Sequence, residues 1–560
     1  MPQTLLIPFL EKYWLLLWLV LVVIACARII SIYDALSLTA DEPIHLACGM
    51  EYIASHTYAL EAQHPPLSRA LQALGPYLAG LRPAGMPDPQ QEGLAILAHS
   101  RNFDQTVFLM RLGNLPFFLL ACCVVAAWAR HCFGKAVAVL ATALFTLLPT
   151  VLADAGLAIT DMALGATVAV AFLAALWWAE RPTALRALLA GFSTALALLS
   201  KFTALGYVPI SLGLALLCYV DVHRLGWRDF RQLARLRMST FLLGAASTVL
   251  FVWAAYGFSY GVVPGKTYSL PAPDFFAGIS AAMTHVHGGH QAFLLGESRN
   301  GGWWFYYPVA LLVKLPIAFL LLAALGVWVC IRQRARAAYL FPLAFCAGIL
   351  LPAMYSPIDI GIRHIEPIYI GLSMVAALGL VRLLQEPRFR VAPVLGAGAL
   401  VLWMIVSGAI HHPDYLAYFN GFAGKHPENI LVDSNYDWGQ DLKFLARRLR
   451  QLDAKEVAMA SLDGVRRYDY MQSWYGLPKI KTVDAMVPAA GWNVISPTVD
   501  KSFRERMLNG ATGIVPWYDQ VPPTERVGPL FLYYIAPGTE NRFSRHSPTT
   551  SAPIPAGETH

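Results

Sequence analysis

Apolar residues in this chain gather into runs of about 18–24, long enough to cross a hydrocarbon core as an α-helix, and such runs recur through residues 12–410. Only 14% of the 560 residues are charged, 57% are hydrophobic, and the mean hydropathy is +0.50. Water-soluble chains carry about 25% charged residues. That shortage of polar surface excludes a cytosolic enzyme, a nucleic-acid module and a disordered scaffold. The chain reads as a polytopic α-helical membrane protein.

About eleven spans follow from the runs, at 13–32, 107–128, 136–153, 162–179, 186–200, 204–220, 239–257, 306–329, 337–355, 365–384 and 392–410. Only a break around Lys201 separates the fifth from the sixth. Cations crowd alternate loops: Arg130 and Lys135; Arg181 and Arg186; Arg224, Arg228, Arg231, Arg235 and Arg237; Arg332, Arg334 and Arg336; Arg388 and Arg390. The positive-inside rule places these loops and the N-terminus in the cytoplasm, and they account for the net charge of +7. An odd number of spans then leaves the C-terminal region outside.

Residues 1–410 are thus expected to form a transmembrane domain with two long outer loops, 33–106 and 258–305. Residues 411–536 mix a helical period (Leu442, Leu445 and Leu449 on one face) with strand-like runs such as Leu530–Ile535, and read as a small extracytoplasmic α/β domain. The Ser-, Thr- and Pro-rich tail 537–560 reads as disordered. Six of the eight cysteines lie in or beside spans, and Cys48 and Cys132 fall on opposite sides, so no disulfide framework is implied. Val23-Ile24-Ala25-Cys26 resembles a lipoprotein processing site, but the apolar run before it is too long and too poor in basic residues for a signal peptide. It is read as part of an uncleaved first span.

The chemistry-bearing residues cluster just outside the spans. Asp41-Glu42-Pro43-Ile44-His45 follows the first span. Adjacent carboxylates on a helix diverge by about 100°, so one can face a pocket while the other braces the fold; helix capping by Asp41 and Glu42 is the plainer reading. His64-Pro65-Pro66-Leu67, with Arg69 after it, is a rigid turn or a stiff connector. Asp154 and Asp161 lie between the third and fourth spans, as solvated surface or, for Asp161, as a partner of Asp41 through a divalent cation. Lys201, Lys314 and Arg363-His364 are cations in or beside apolar spans, where an ionisable group signals function unless it snorkels to the interface. The aromatic run Trp303, Trp304, Phe305, Tyr306 and Tyr307 fits an interfacial belt or a sugar-stacking surface. His285, His287 and His290 match no metal-site spacing and read as a mobile outer loop.

The combination resembles the GT-C class of membrane glycosyltransferases, most closely the family-39 branch that includes the protein O-mannosyltransferases. The match rests on the DEPIH run with Gly49 and Tyr52, the HPPL turn, Thr160-Asp161, Ser200-Lys201, Gly296-Glu297 with the aromatic run, Lys314-Leu315-Pro316, and Gly361-Ile362-Arg363-His364 ahead of Glu366-Pro367. Tyr418-Phe419-Asn420 and the run from Asp433 to Asp441 resemble bacterial members that depend on a phospholipid carrier. The resemblance covers about residues 10–450. His364 stands where a Tyr is typical, and the C-terminal region departs from the eukaryotic enzymes.

The resemblance implies a sugar donor on polyprenyl phosphate, used on the outer face of a bacterial inner membrane with inversion at the anomeric carbon. The catalytic acid falls on Asp41, with Glu42 adjacent. Arg363, His364, Lys201 and Lys314 are expected at the donor phosphate, and His45, His64, Arg69, Asp161 and Glu297 around the substrate pocket. A divalent cation would fall on Asp41 and Asp161. The expected activity moves a hexosyl or pentosyl group to a hydroxyl on a protein, lipid or glycan, with no nucleic-acid partner. A flippase for a lipid-linked sugar is the alternative, and a scaffold subunit of an envelope assembly is a third reading.

Overall fold

A computed structural model describes residues 3–385, 392–460, 466–483, 486–507 and 515–543. Among these, seven helices are long and apolar enough to cross a membrane: Trp14–Ile32, Phe103–Phe133, Asp161–Glu180, Ala204–His223, Trp227–Ala255, Ala337–Met354 and Ala392–Ile410. Counting two bent helix pairs as spans raises the number to nine, and Ala184–Ser200 and Ile368–Leu384 are shorter apolar helices. Each of the expected spans coincides with one of these elements.

Two expected spans are broken rather than straight. Lys135–Thr146 and Pro149–Ala155 meet at 71°, and Tyr306–Lys314 and Ile317–Arg332 meet at 119°. The cause is proline in both. A proline pushes the residue before it out of the helical region, and Leu148 (ψ 121°) and Leu315 (ψ 143°) are extended ahead of Pro149 and Pro316. Lys314 therefore lies at a sharp corner and not within a continuous span.

Alternate helix junctions gather at opposite ends of the bundle. At one end, Arg130 lies over Trp14, His131 pairs with Glu180, Phe133 packs on Tyr339, and Arg237 donates to the Ala179 carbonyl. At the other end, the junctions carrying Asp41, Asp161, Lys201 and Arg363 meet. Arg388 and Arg390 lie outside the described residues, as does the 544–560 part of the tail.

The first outer loop is built of helices. Glu42–Ser55, Pro66–Leu78 and Pro89–Ala98, with Phe103–Leu112 leading into the second span, enclose a core of Leu38, Leu46, Met50, Ala73, Ile96, Val107 and Met110. The 258–305 loop is likewise ordered: a helix, Pro273–Gly288, lies between two hairpins, Tyr260–Val262 with Ser269–Pro271 and Gln291–Leu294 with Glu297–Asn300. The mobile loop expected around His285, His287 and His290 is instead the end of that helix and the start of the second hairpin, because 16 residues of helical period precede Gly289.

The C-terminal region divides at a different place from the expected 411. Tyr415, Leu416, Ala423, Leu431 and Trp438 share the hydrophobic core of the membrane helices, so residues 411–441 belong physically to the bundle. A separate core begins at Leu442. There Leu442, Leu445 and Leu449 of the helix Leu442–Gln451 pack on a five-stranded sheet. Its spatial order is Lys479–Val483, Glu456–Ala460, Gly491–Ile495, Leu530–Ile535 and Glu525–Val527; the first three are parallel, and Leu530–Ile535 is antiparallel to both of its neighbours.

Gly49 fixes how the Asp41-bearing helix crosses its neighbour. A Cβ there would fall 2.1 Å from the Arg69 carbonyl oxygen, whereas one at Gly206 would meet open space. Gly49→Ala should cost about 1–3 kcal/mol through overpacking and lower the thermal unfolding midpoint in detergent. Gly206→Ala should leave that midpoint unchanged or slightly raised.

Candidate active site

Asp41 and Glu42 diverge as adjacent helical positions must. Asp41 is the residue preceding the helix Glu42–Ser55, yet its side chain makes no capping hydrogen bond. Glu42 is fully buried and braces the fold. It accepts from Arg111 Nε (2.8 Å) and Nη2 (2.9 Å), from Thr39 N (2.9 Å) and from Ala158 N (2.9 Å). Burial alone would raise its pKa, but Arg111 and the two backbone N–H groups lower it. Arg111 also donates to the carbonyls of Tyr33, Leu36 and Ser37. This pair fixes the first span's exit and so aims Asp41.

Asp41 points at Arg363, on the short turn Ile362–Ile365 between two membrane helices. The Arg363 guanidinium has every edge engaged. Nη2 lies 3.2 Å from Asp41 Oδ2, Nη1 lies 3.1 Å from Asp161 Oδ2, and Nε donates to Ser434 Oγ at 3.1 Å. Its planar face lies 4.1 Å from the Trp438 ring, a cation–π arrangement that suits Arg better than Lys. Lys201, where the helix Ala184–Ser200 ends, donates to the other Asp161 oxygen at 2.6 Å. Burial would pull the Arg363 pKa down, but Asp161 and Asp41 hold it above its ordinary value.

The result is a charge chain, Asp41–Arg363–Asp161–Lys201, that cancels to zero and is graded in exposure. The side chains of Asp161, Arg363 and Lys201 are buried, while Asp41 is 33% exposed. Only the outermost carboxylate meets solvent. His364 turns inward beside Lys201; burial first, then the Lys201 and Arg363 charges, lower its pKa, and its Nε2 is buried without a hydrogen-bond partner.

A second cluster adjoins the first. Arg69 donates through Nε to His45 Nδ1 (3.1 Å), through Nη1 to the Glu61 carbonyl (3.1 Å), and through Nη2 to the Glu61 carboxylate and His64 Nδ1. Burial chiefly, and then the Arg69 charge, lower the pKa of both histidines. Burial opposes a low Glu61 pKa, but Arg69 and His64 depress it. Arg69, Glu61 and His64, with Cys48, Glu51, Tyr52, Tyr58 and Pro66, line a small cleft.

The structure thus brings Asp41, Asp161, Lys201, Arg363 and His364 together, with His45, His64 and Arg69 next to them. It places two expected residues elsewhere. Lys314 donates to the Leu416 and Asn435 carbonyls at 2.7 and 2.6 Å, with its ammonium 4.3 Å from the Phe419 ring; it clamps the 411–441 segment instead of facing a phosphate. Glu297 is exposed on the Glu297–Asn300 strand. A divalent cation does not fit between Asp41 and Asp161, because the Arg363 guanidinium fills that gap and Lys201 holds the remaining Asp161 oxygen. Among the described residues, no group of three or more His, Cys, Asp or Glu side chains is placed to hold a metal ion.

Glu61 is not among the expected residues, and Ser434 and Trp438 are expected only as members of a family-like run, with no role at the site. The last two lie in the Asp433–Asp441 run, whose density of polar and aromatic residues was the available signal. Asn435 of the same run accepts from Ile362 N and donates to Tyr306 Oη, locking the Arg363 turn.

Opposite roles for adjacent acids give opposite stability effects. Glu42→Ala strands the Arg111 charge and should cost about 3–5 kcal/mol. Asp41→Asn removes one half-exposed partner and leaves Arg363 paired with Asp161, so it should cost about 1 kcal/mol or less. Thermal unfolding of the two variants in detergent compares them directly.

Residues 18–270 match the family described as dolichyl-phosphate-mannose-protein mannosyltransferase. No curated protein matches in sequence. The oligosaccharyltransferase of Archaeoglobus fulgidus, solved tethered to an acceptor peptide, is 12% identical and superposes with a TM-score of 0.52 over 90% of this chain and 72% of its own. ArnT from Cupriavidus metallidurans, solved with undecaprenyl phosphate bound, is 15% identical and gives 0.49 over 92% and 97%. The chain therefore shares the fold of that archaeal oligosaccharyltransferase, and its residues 18–270 match the dolichyl-phosphate-mannose-protein mannosyltransferase family.

Proposed function

We propose that this protein is an inverting glycosyltransferase that moves a hexosyl or pentosyl group from a polyprenyl-phosphate donor to a hydroxyl of a protein, lipid or glycan acceptor. The Asp41–Arg363–Asp161–Lys201 chain carries this reading. It offers one solvent-reachable carboxylate beside two buried cations, at a bundle end where lipid and water meet. The basic residues of the opposite loops place this end on the outer face, in keeping with a bacterial inner membrane, an inside N-terminus and an outside C-terminal unit.

The residues supply each requirement of the reaction. A donor phosphate competes with Asp41 for the outer edge of Arg363 and takes Lys201 and His364 as further neighbours. Asp41, released from its ion pair, faces the acceptor. The acceptor oxygen bonds to the anomeric carbon as the carbon–phosphate oxygen bond breaks on the opposite side. The hydroxyl proton passes to Asp41, and the leaving lipid phosphate keeps the electron pair. Charge grows on that phosphate, where fixed cations stabilise it most in a water-poor site. The Arg69–Glu61–His64–His45 cluster, with Tyr52 and Tyr58, offers hydrogen-bonding groups beside aromatic rings suited to holding the sugar.

Reconstituted protein, given labelled polyprenyl-phosphate hexoses and pentoses in parallel, should release free polyprenyl phosphate. Asp41→Asn should lower kcat by about 10²–10⁴, the range for loss of a general base, while donor binding is little changed. Full turnover in Asp41→Asn would remove the assignment. Movement of intact donor across the bilayer without cleavage would favour the flippase reading.

A further inference from the structure

The C-terminal unit reaches the transfer site through a corner that the transfer step does not use. The helix Pro497–Met507 follows the strand Gly491–Ile495, and Ser496, just before it, accepts from Val499 N at 3.3 Å as a helix cap does. The same Ser496 hydroxyl donates to the Asp437 carboxylate. Thr498, in the first turn, bridges two backbone groups. Its Oγ1 accepts from Asp433 N at 2.9 Å and donates to the Asp437 carbonyl at 2.7 Å. One hydroxyl thus spans the turn from Asp433 to Asp437, using both its proton and a lone pair. The helix is itself braced by the second outer loop, where Ser298 Oγ donates to the Ser502 carbonyl at 3.2 Å.

The bridged turn has an unusual backbone. Asp433 has φ 59°, in the left-handed region that L-residues seldom enter. Its carboxylate accepts from Ser434 N at 2.6 Å, and its carbonyl from Tyr436 N (2.8 Å) and Asp437 N (3.0 Å). The bend delivers the buried Ser434 hydroxyl to Arg363. Ser434 Oγ donates to the Ile360 carbonyl at 2.8 Å, which leaves its lone pairs for the guanidinium Nε at 3.1 Å. The fit has no slack, because a Cβ on Gly361 would collide with Ser434 Oγ. A backbone in a sparsely populated conformation persists where its surroundings over-determine it, and the Thr498 bridge supplies such a constraint from outside the turn.

We propose that Thr498 is a positioning residue for Arg363, acting through the Asp433 turn and Ser434. With the bridge in place, the Ser434 oxygen fixes the guanidinium plane. It thereby sets the direction of the Nη2 edge that Asp41 occupies and a donor phosphate takes over. Without the bridge, Asp433 N–H and the Asp437 carbonyl lose their shared partner, the turn relaxes toward an ordinary φ, and Ser434 Oγ moves off Nε. The C-terminal unit is then part of the donor site and not an appendage to the bundle. This role presupposes Arg363 as the phosphate holder, but how firmly Arg363 is held can be observed without donor or turnover.

Phenylglyoxal modification of the full chain in detergent, followed arginine by arginine with peptide mass spectrometry, reads how firmly each guanidinium is held. Arg363 should react about three- to tenfold faster in Thr498→Val than in wild type, the factor that a lost hydrogen bond carries. The fully buried Arg111 should keep its wild-type rate. Thr498→Ser, which retains the hydroxyl, should react as wild type does. Thr498→Val should also weaken binding of polyprenyl phosphate by a similar factor. In a Ser434→Ala background the same substitution should add little to either effect, since both act through one contact. An unchanged Arg363 rate in Thr498→Val, a Ser variant as reactive as the Val variant, full additivity with Ser434→Ala, or a parallel rise at Arg111 overturns the positioning role, whether or not the protein transfers sugar. Faster Arg363 modification with unchanged phosphate binding would leave the positioning role standing and count against the phosphate reading of Arg363 alone.

Discussion

One guanidinium organises the site. Arg363 reaches Asp161 and Asp41 at once, with Ser434 on its third edge and Trp438 against its face. A charge this deeply buried is tolerable only when paired and hydrogen-bonded, so every element that supplies a partner is held in place by it. The first outer helix, the Asp161 helix, the Lys201 break and the 433–441 run converge for that reason. The cost of leaving Arg363 unpaired also explains why a phosphate, which can take over one edge, is a suitable visitor.

The arrangement separates support from chemistry. Glu42 and Arg111, both inaccessible to solvent, lock the exit of the first span. Lys314 secures the returning C-terminal segment by holding two carbonyls. Asp41 alone among the four charges of the chain reaches water to a third of its surface. A carboxylate that must accept a proton from an incoming alcohol needs that access, and the groups behind it need to be dry for their charges to act at full strength.

The membrane part was legible in the sequence because spans longer than about 18 apolar residues leave few alternatives. The two breaks were also written there, in Leu148-Pro149 and Leu315-Pro316, but hydropathy averages over them. Asp41 stood out by its place beside the first span exit. Its partner did not, since 322 residues separate Asp41 from Arg363 and 202 separate Asp161 from Arg363. No local period carries such pairing. Glu61 was hidden for another reason: it lies in an irregular stretch and acquires meaning only when the Pro65-Pro66 turn folds Arg69 back onto it. Lys314 misled because a buried ammonium on two carbonyls has the same sequence signature as one awaiting a phosphate. The boundary of the C-terminal unit shifted because Tyr415 to Trp438 are apolar enough to join the membrane core, which composition alone does not assign to one side or the other.

The competition between Asp41 and a lipid phosphate for Arg363 is open to direct measurement through the Kd of polyprenyl phosphate for wild type, Asp41→Asn and Arg363→Gln, each checked for a wild-type unfolding temperature. Loss of a charge-assisted contact worth about 1.5–3 kcal/mol should weaken binding about tenfold or more in Arg363→Gln, while Asp41→Asn binds as tightly as wild type or more so. Equal affinity in wild type and Arg363→Gln would contradict the account.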